Sequence, residues 1–162
     1  MDHLFAGWRA QFVAGEDRPL GCVFCSIAAE RAKDDQHYVV ARGTACFVVL
    51  NLYPYTSGHL MVVPNAHIGG LAGLRGEVGS EMLDFVGAAH DALQGAYRPE
   101  GVNIGMNLGR AAGAGIAEHV HVHLVPRWSG DANFMSTLAE TRVLPETLSD
   151  SLLKLREHWP SK

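Results

Sequence analysis

The chain has 162 residues, of which 48% are hydrophobic and 19% are charged. This composition suits one domain with an apolar core and excludes a disordered chain. The formal net charge of −4 argues against nucleic-acid binding, which relies on a basic surface. No apolar run approaches the roughly 20 residues that span a bilayer. We therefore predict a single domain over residues 1–162 that binds neither nucleic acid nor a membrane.

The cysteine content indicates a reducing environment. The chain has 3 cysteines, too few and an odd number for a disulfide scaffold. The first ten residues lack the basic and apolar regions of a signal peptide. Together these observations predict a cytoplasmic location.

The first half of the chain predicts an arm, a short helix and three strands. The N-terminal arm covers residues 1–21, and the helix lies at about Ser26–Ala32. Runs rich in Val, Phe and Leu predict strands at His37–Ala41, Ala45–Leu50 and Gly58–Pro64. The connections between these strands are too short for helical crossovers, which favours antiparallel pairing.

The second half predicts two helices and two further strands. Apolar residues recur at steps of three and four over Glu77–Tyr97, which predicts a long helix. Strands are predicted at Gly101–Leu108 and His119–Val125, with the glycine-rich loop Gly109–Gly115 between them. A C-terminal helix is predicted over residues 145–159. The fold class is therefore α+β, with a five-stranded, mainly antiparallel sheet.

Histidines occupy three alternate positions of the last predicted strand, at His119, His121 and His123. Because side chains alternate between the faces of a strand, all three imidazoles are predicted to project from one face. Three interpretations are open: a hydrated face that happens to carry histidines, a zinc site made of all three, or a nucleophilic imidazole. The three-histidine zinc site needs a strong bend, because side chains two apart on a flat strand stand about 7 Å apart.

A nucleophilic imidazole suits the neighbouring sequence. A neutral imidazole can attack phosphorus and form a phosphoramidate-type intermediate, which divides one difficult displacement into two easier steps. The glycine-rich loop immediately before the histidines can supply backbone N–H groups to phosphoryl oxygens.

These patterns resemble the histidine triad superfamily of nucleotide hydrolases and transferases. The resemblance runs from Leu4 to about Leu148 and includes CVFC at 22–25, NLYPY at 51–55, GHLMVVP at 58–64 and HVHVHLVPRW at 119–128. With GDANF at 130–134 and RVLPETL at 142–148, the sequence is most similar to the branch containing diadenosine tetraphosphate phosphorylases. The resemblance implies the HIT-like fold and a nucleotide substrate.

The resemblance also implies roles for individual side chains. His121 would be the nucleophile on the α-phosphate, and His119 would orient its surroundings or bind metal. His123 would lie near the leaving-group oxygen, and His59 would support the triad. Asn51 would contact the ribose of the nucleoside.

Further residues would hold the substrate. The resemblance assigns the phosphates to Asn107 and to the backbone of Gly113, Ala114, Gly115 and Ile116. It also places Trp128 near the substrate. Many relatives have Ser or Thr where this chain has Gly115, so the backbone donor is kept and the hydroxyl is lost.

A second site is indicated by Cys22 and Cys25, whose CxxC spacing can place two thiolates on one metal. The spacing alone also allows two buried cysteines or a redox pair. The resemblance adds His67 and His119 as further ligands, which gives a four-ligand, structural zinc site. No organic cofactor is expected.

The predicted function is cleavage of dinucleoside polyphosphates, such as diadenosine tetraphosphate, at the α-phosphate. Phosphate as acceptor gives a phosphorylase, and water gives a hydrolase. The alternatives are a nucleoside phosphoramidase and a non-catalytic nucleotide-binding module. A homodimer is expected, joined along Gly101–Leu108 at the sheet edge and along the long helix, with Phe85 or His90 as candidate contacts.

Overall fold

The computed structural model of the chain describes residues 21–131 and 146–161. Apart from Gly21, the predicted arm lies outside the described residues. The same holds for the last three residues of GDANF and for the first four of RVLPETL.

Five strands form one antiparallel sheet, as predicted. The strand order is β1-β2-β3-β5-β4, so β4 lies at one edge and β3 pairs with β5 across the centre. The strands are β1 Val39–Arg42, β2 Cys46–Leu50, β3 Leu60–Pro64, β4 Gly101–Gly105 and β5 Val122–Arg127.

Helices cover both faces of the sheet: α1 Val23–Ala29 on one face, α2 Glu77–Tyr97 and α3 Leu148–Glu157 on the other. Alternate residues of β2 divide between two hydrophobic clusters. Val48 and Leu50 pack with α2 and α3, while Phe47 and Val49 pack with α1. A sheet buried on both faces explains why β2 and β3 are continuous apolar runs. None of the helices within the described residues is long and apolar enough to cross a membrane.

The bounds of α2 match the prediction, but those of α1 and α3 differ from it. Helix α1 begins three residues earlier than predicted, because Cys22 is its N-cap and the Cys22 carbonyl oxygen accepts the N–H of Ser26 (3.2 Å). Helix α3 begins at Leu148, because Thr147 caps it: the Thr147 hydroxyl oxygen accepts the N–H of Asp150 (3.1 Å).

Strand β5 begins later than predicted, at Val122 instead of His119. Its pairing with β3 starts where Val122 lies opposite Val62. Just before that point the backbone leaves the ladder, since Val120 donates its N–H to the carbonyl of Ile68 (2.7 Å). Of the three histidines, only His123 therefore lies within the strand.

One half-buried contact joins α2 to the hairpin between β1 and β2. The Glu81 carboxylate accepts the backbone N–H groups of Thr44, Ala45 and Cys46 at 2.9, 2.6 and 2.6 Å. We expect Glu81→Gln to lower the free energy of unfolding by about 2 kcal/mol, because hydrogen bonds to a charged acceptor are strong. Urea unfolding measures it, with Asp84→Asn on the exposed side of α2 as the control. Equal stability of the two variants would contradict the prediction.

Candidate active site and metal centre

His121 lies just before β5 and is only 5% exposed. Its Nδ1 lies 2.9 Å from the carbonyl oxygen of His119. Because a carbonyl can only accept, Nδ1 carries the hydrogen, and the lone pair of the neutral ring is on Nε2. Burial lowers the pKa of His121, which favours this neutral form. Phe24 of α1 covers the ring, with centroids 5.0 Å apart. His121 therefore offers a neutral imidazole with a free lone pair on Nε2.

His59 and His123 come together because β3 and β5 are neighbours. His123 lies opposite Met61 in the ladder, and Nε2 of His59 lies 3.0 Å from Nδ1 of His123. The rings of His121 and His123 are 4.7 Å apart between centroids. Gly58 makes the turn before His59 with φ of +77°, and a Cβ there would lie 2.7 Å from the Tyr97 ring. Glycine is therefore required at this turn.

The loop over residues 51–58 places Asn51 beside His59. The Asn51 Oδ1 accepts the N–H of Tyr53 (2.9 Å), and its Nδ2 lies 3.4 Å from Nδ1 of His59. The Thr56 hydroxyl donates to the carbonyl of Pro126 (3.0 Å), which ties the loop to the end of β5. Asn51 is thus part of the same cluster as the His59–His123 pair.

Trp128 lies two residues beyond Pro126, and its ring packs edge-on against Tyr97 with centroids 6.5 Å apart. The Tyr97 ring also lies against Gly58, so it connects Trp128 to the end of the loop over residues 51–58. A role for Trp128 in substrate binding stays a prediction.

The residues predicted to hold phosphates lie in the chain between β4 and the histidines. Asn107 follows β4 and is half-buried. Gly113, Ala114 and Gly115 end the glycine-rich loop, and Ile116 packs against the cluster that contains Phe24. The Ile116 carbonyl accepts the N–H of His119 (3.4 Å). Phosphate binding by these residues also stays a prediction.

Cys22, Cys25, His67 and His119 form a cluster that could hold a metal ion. One ligand atom from each lies within 4.8 Å of the others. The Cys22 Sγ and the Cys25 Sγ lie 3.2 and 3.6 Å from Nδ1 of His119, and the Cys25 Sγ lies 3.2 Å from Nδ1 of His67. Around a tetrahedral zinc ion, ligand atoms about 2.0–2.3 Å from the metal stand roughly 3.3–3.8 Å apart. The donor set and its spacing fit such an ion.

The orientation of His119 also suits a metal ligand. Its Nε2 donates to the carbonyl of Pro64 (2.9 Å), which leaves the Nδ1 lone pair facing the two sulfurs. Metal-bound histidines usually donate the second ring N–H in this way. The His119 carbonyl meanwhile holds His121, so one residue connects the two sites.

Two interpretations of the three histidines are excluded by this geometry. His119 is fully buried and His121 nearly so, which rules out a hydrated sheet face. The rings of His119, His121 and His123 have different partners. Among residues 21–131 and 146–161, the sole candidate metal cluster is the one with Cys22, Cys25 and His67.

Sequence reasoning missed three contributors to these sites. Phe24 covers His121. Its contact with the histidines could be predicted only if α1 were known to begin at Val23, so that Phe24 lies within the helix. Pro64 contributes a carbonyl and Tyr55 an N–H. Backbone groups leave no signal in the residue type.

Comparison with known proteins agrees with this geometry. The model of the HIT domain family matches residues 32–130. A Mycobacterium tuberculosis protein named AP-4-A phosphorylase is 44% identical over 126 residues, which cover 78% of this chain and 65% of that protein. The chain thus spans slightly less than two thirds of the length of this curated relative.

Solved structures are similar over most of the chain. A Zn-bound histidine triad family protein from Mycobacterium smegmatis is 28% identical, with a TM-score of 0.68, covering 86% of this chain and 93% of its own. A hypothetical histidine triad nucleotide-binding protein from Sulfolobus tokodaii is 26% identical, also with a TM-score of 0.68, covering 85% and 91%. The fold, the histidine cluster and the match of the family model together show that the chain belongs to the HIT domain family.

Proposed function

We propose that this protein cleaves dinucleoside polyphosphates, such as diadenosine tetraphosphate, at the α-phosphate through a nucleotidyl-histidine on His121. The observation that carries the proposal is the neutral imidazole of His121, whose Nδ1–H is held by the His119 carbonyl while Nε2 keeps its lone pair. The name of the 44%-identical mycobacterial relative supports the substrate class.

The reaction proceeds in two displacements. Nε2 of His121 attacks the α-phosphorus, the bond to the bridging oxygen breaks, and the nucleoside oligophosphate leaves with the electron pair. Phosphate or water then attacks the same phosphorus, loses its proton and releases His121. The ring of His123, 4.7 Å from that of His121, is positioned to assist the leaving oxygen.

The remaining predicted residues would bind the substrate. Asn107 and the backbone N–H groups of Gly115 and Ile116 would hold the phosphates, while Asn51 would contact the ribose. The N–H groups of Gly113 and Ala114, also predicted for this role, donate within the loop to the carbonyls of Arg110 (3.0 Å) and Gly109 (3.4 Å). Gly115 brings no hydroxyl to a phosphate oxygen, so the N–H groups of this loop would carry most of that interaction.

We also propose that Cys22, Cys25, His67 and His119 bind one structural zinc ion. Four protein ligands leave no open position, so this ion would brace α1 against the residues before β5 and would not activate water. The Zn-bound relative from Mycobacterium smegmatis supports this assignment. Thiolate ligands need a reducing compartment, which is why we expect a cytoplasmic location.

We expect the protein to be a homodimer. Strand β4 lies at a sheet edge with Ile104 49% exposed, and Leu83 projects from α2 with 71% exposed. An exposed strand edge and exposed apolar side chains each favour pairing with a second copy. Phe85 is buried against Trp159 and cannot serve as the contact suggested by the sequence; Leu83 takes its place.

Light scattering tests the dimer. The wild type is expected to have the mass of two 17.5 kDa chains, and Leu83→Glu to shift it toward one. Leu153→Glu is the matched control, because Leu153 is 66% exposed on α3, away from β4. A wild-type mass of one chain would contradict the dimer.

Product analysis on diadenosine tetraphosphate tests the function. Transfer of AMP from His121 to phosphate gives ADP plus ATP, and transfer to water gives AMP plus ATP. Either pair supports the proposal and identifies the acceptor. Turnover of adenosine 5′-phosphoramidate without turnover of the tetraphosphate would instead indicate a phosphoramidase. Binding without any turnover would indicate a non-catalytic module.

A further inference from the structure

We propose that Arg42 is a positioning residue for the metal centre: it fixes the C-terminal end of α1, so that both cysteines of the cluster face His119 before a metal ion binds. The part of this inference that concerns α1 applies to the zinc-free protein. Its consequence for metal affinity rests on the zinc site proposed above.

Helix α1 needs support from outside itself. It has 7 residues, and a helix of that length is unstable on its own. The carbonyls of its last turn have no partners within the helix. Among them, the Ile27 carbonyl accepts a hydrogen bond from Nη2 of Arg42 at 2.7 Å. A cation at this end also interacts favourably with the aligned backbone dipoles, so Arg42 caps α1 where the helix ends.

The guanidinium group of Arg42 is itself held in place. Its Nε lies 2.8 and 3.1 Å from the two carboxylate oxygens of Asp34, and its Nη2 lies 2.7 Å from Oδ1 of the same residue. The group lies over the Phe47 ring, 5.5 Å from the centroid, and the side chain is only 11% exposed. Because Arg42 ends β1, these contacts fix the Ile27 carbonyl relative to the sheet.

Packed rings continue from Arg42 to the metal cluster. Phe47 of β2 packs edge-on against Phe24 of α1, with centroids 6.5 Å apart, and the Phe24 ring lies 5.4 Å from that of His119. Phe24 and Ile27 are 3% and 6% exposed, so the helix is also anchored by burial. None of these contacts involves a metal ligand's sulfur or a metal ion. They therefore persist when zinc is removed, and they keep Cys25, the neighbour of Phe24, beside His119.

A preformed ligand set raises metal affinity, because the ion then binds without the entropic cost of ordering α1. Lysine at position 42 would keep the charge but has no planar fork, so it cannot hold Asp34 and the Ile27 carbonyl together. We expect Arg42→Lys to weaken zinc binding about tenfold, since a hydrogen bond from a charged donor is worth roughly that factor or more.

Competition with a chromogenic chelator measures the zinc affinity of zinc-free protein, and circular dichroism checks that each variant is folded. Arg127→Lys is the matched control. Arg127 likewise pairs with an aspartate through two nitrogens, Asp131 at 2.6 and 2.9 Å, and donates to a carbonyl oxygen, that of Asn103 at 2.9 Å. It lies on β5 at the pairing with β4, so its variant should keep the wild-type zinc affinity. An equal loss in both variants, or none in Arg42→Lys, would overturn the proposal.

Hydrogen exchange of the zinc-free protein tests the docking of α1 directly. The N–H groups of Ser26 and Glu30 donate to the carbonyls of Cys22 and Ser26, so they report on this helix. We expect both to be protected in the wild type and to exchange faster in Arg42→Lys. A zinc-free wild type in which they exchange freely would show that the metal alone orders α1, and would overturn the proposal.

Two further results keep the test decisive. If Arg42→Lys does not fold, Asp34→Asn replaces it: this change weakens the ion pair that holds the guanidinium and leaves Arg42 in place, and an unchanged zinc affinity would contradict the role of Arg42. A wild type that binds no zinc would contradict the proposed zinc site. Exchange of the α1 amides would then still decide whether Arg42 docks the helix.

Discussion

Replacing His121 with alanine is expected to lower turnover of diadenosine tetraphosphate by about 10³-fold or more while the protein stays folded. No other imidazole in the cluster combines a hydrogen held on Nδ1 by a carbonyl with a free Nε2. Nδ1 of His119 faces the cysteines, and His123 is paired with His59. The covalent intermediate therefore depends on His121. Steady-state rates measure the loss, and circular dichroism measures folding.

His158→Ala is the matched control, because His158 lies exposed at the C-terminal end of α3, outside the histidine cluster. That variant should keep wild-type activity. Rapid quenching with labelled substrate should trap a nucleotidyl adduct on wild-type protein and none on His121→Ala. More than a few per cent of residual activity in His121→Ala would rule out this residue as the nucleophile.

The pH dependence follows from the same residue. Burial lowers the pKa of His121 from its ordinary value of 6.5, so the ring is neutral above that pH. Protonation removes the Nε2 lone pair, and activity therefore falls as the pH drops below the lowered pKa. We expect kcat/KM to remain level from pH 8 down to about 6.5 and to fall only at more acidic pH.

The elements with strong local patterns could be predicted from the sequence. The repeat of apolar residues in α2 correctly predicted where this helix begins and ends. Each of the five strands overlaps its predicted range. The predicted start of β5 was wrong, because the backbone hydrogen bond from Val120 to Ile68 depends on a loop that is distant in the sequence. Such a long-range contact leaves no trace in the alternation of side chains, so His119 and His121 were placed in the strand.

The site shows the same division. The four predicted ligand residues lie together in one cluster that could hold a metal ion. The CxxC spacing pointed to Cys22 and Cys25, and the family resemblance pointed to His67 and His119. The pairing of His59 with His123 needs β3 beside β5, two strands separated in the chain by α2 and β4. The role of Phe24 could be predicted only from the correct start of α1. The sequence does not indicate that start, because the N-cap is Cys22 and cysteine is not a typical capping residue.

Protein purified without chelators is expected to contain close to one zinc ion per chain, and Cys22→Ser to lose most of it. Cys22 caps α1 and its Sγ lies 3.2 Å from Nδ1 of His119, so losing this ligand leaves an incomplete metal site and weakens the link between the helix and the residues before β5. Cys46→Ala is the matched control, because Cys46 is a buried thiol outside the cluster. Metal analysis of both variants measures the zinc content, and a wild type without zinc would contradict the site.

The melting temperature should respond to Cys22→Ser more than the activity per folded molecule does. Metal binding at a structural site contributes directly to folding free energy, so its loss lowers the melting temperature. The nucleophile keeps its support, because the Nε2 of His119 still donates to the Pro64 carbonyl and its own carbonyl still holds His121. Calorimetry gives the melting temperature, and rates corrected for the folded fraction give the activity. A variant that melts like the wild type but has lost its activity would instead assign the metal to the chemistry.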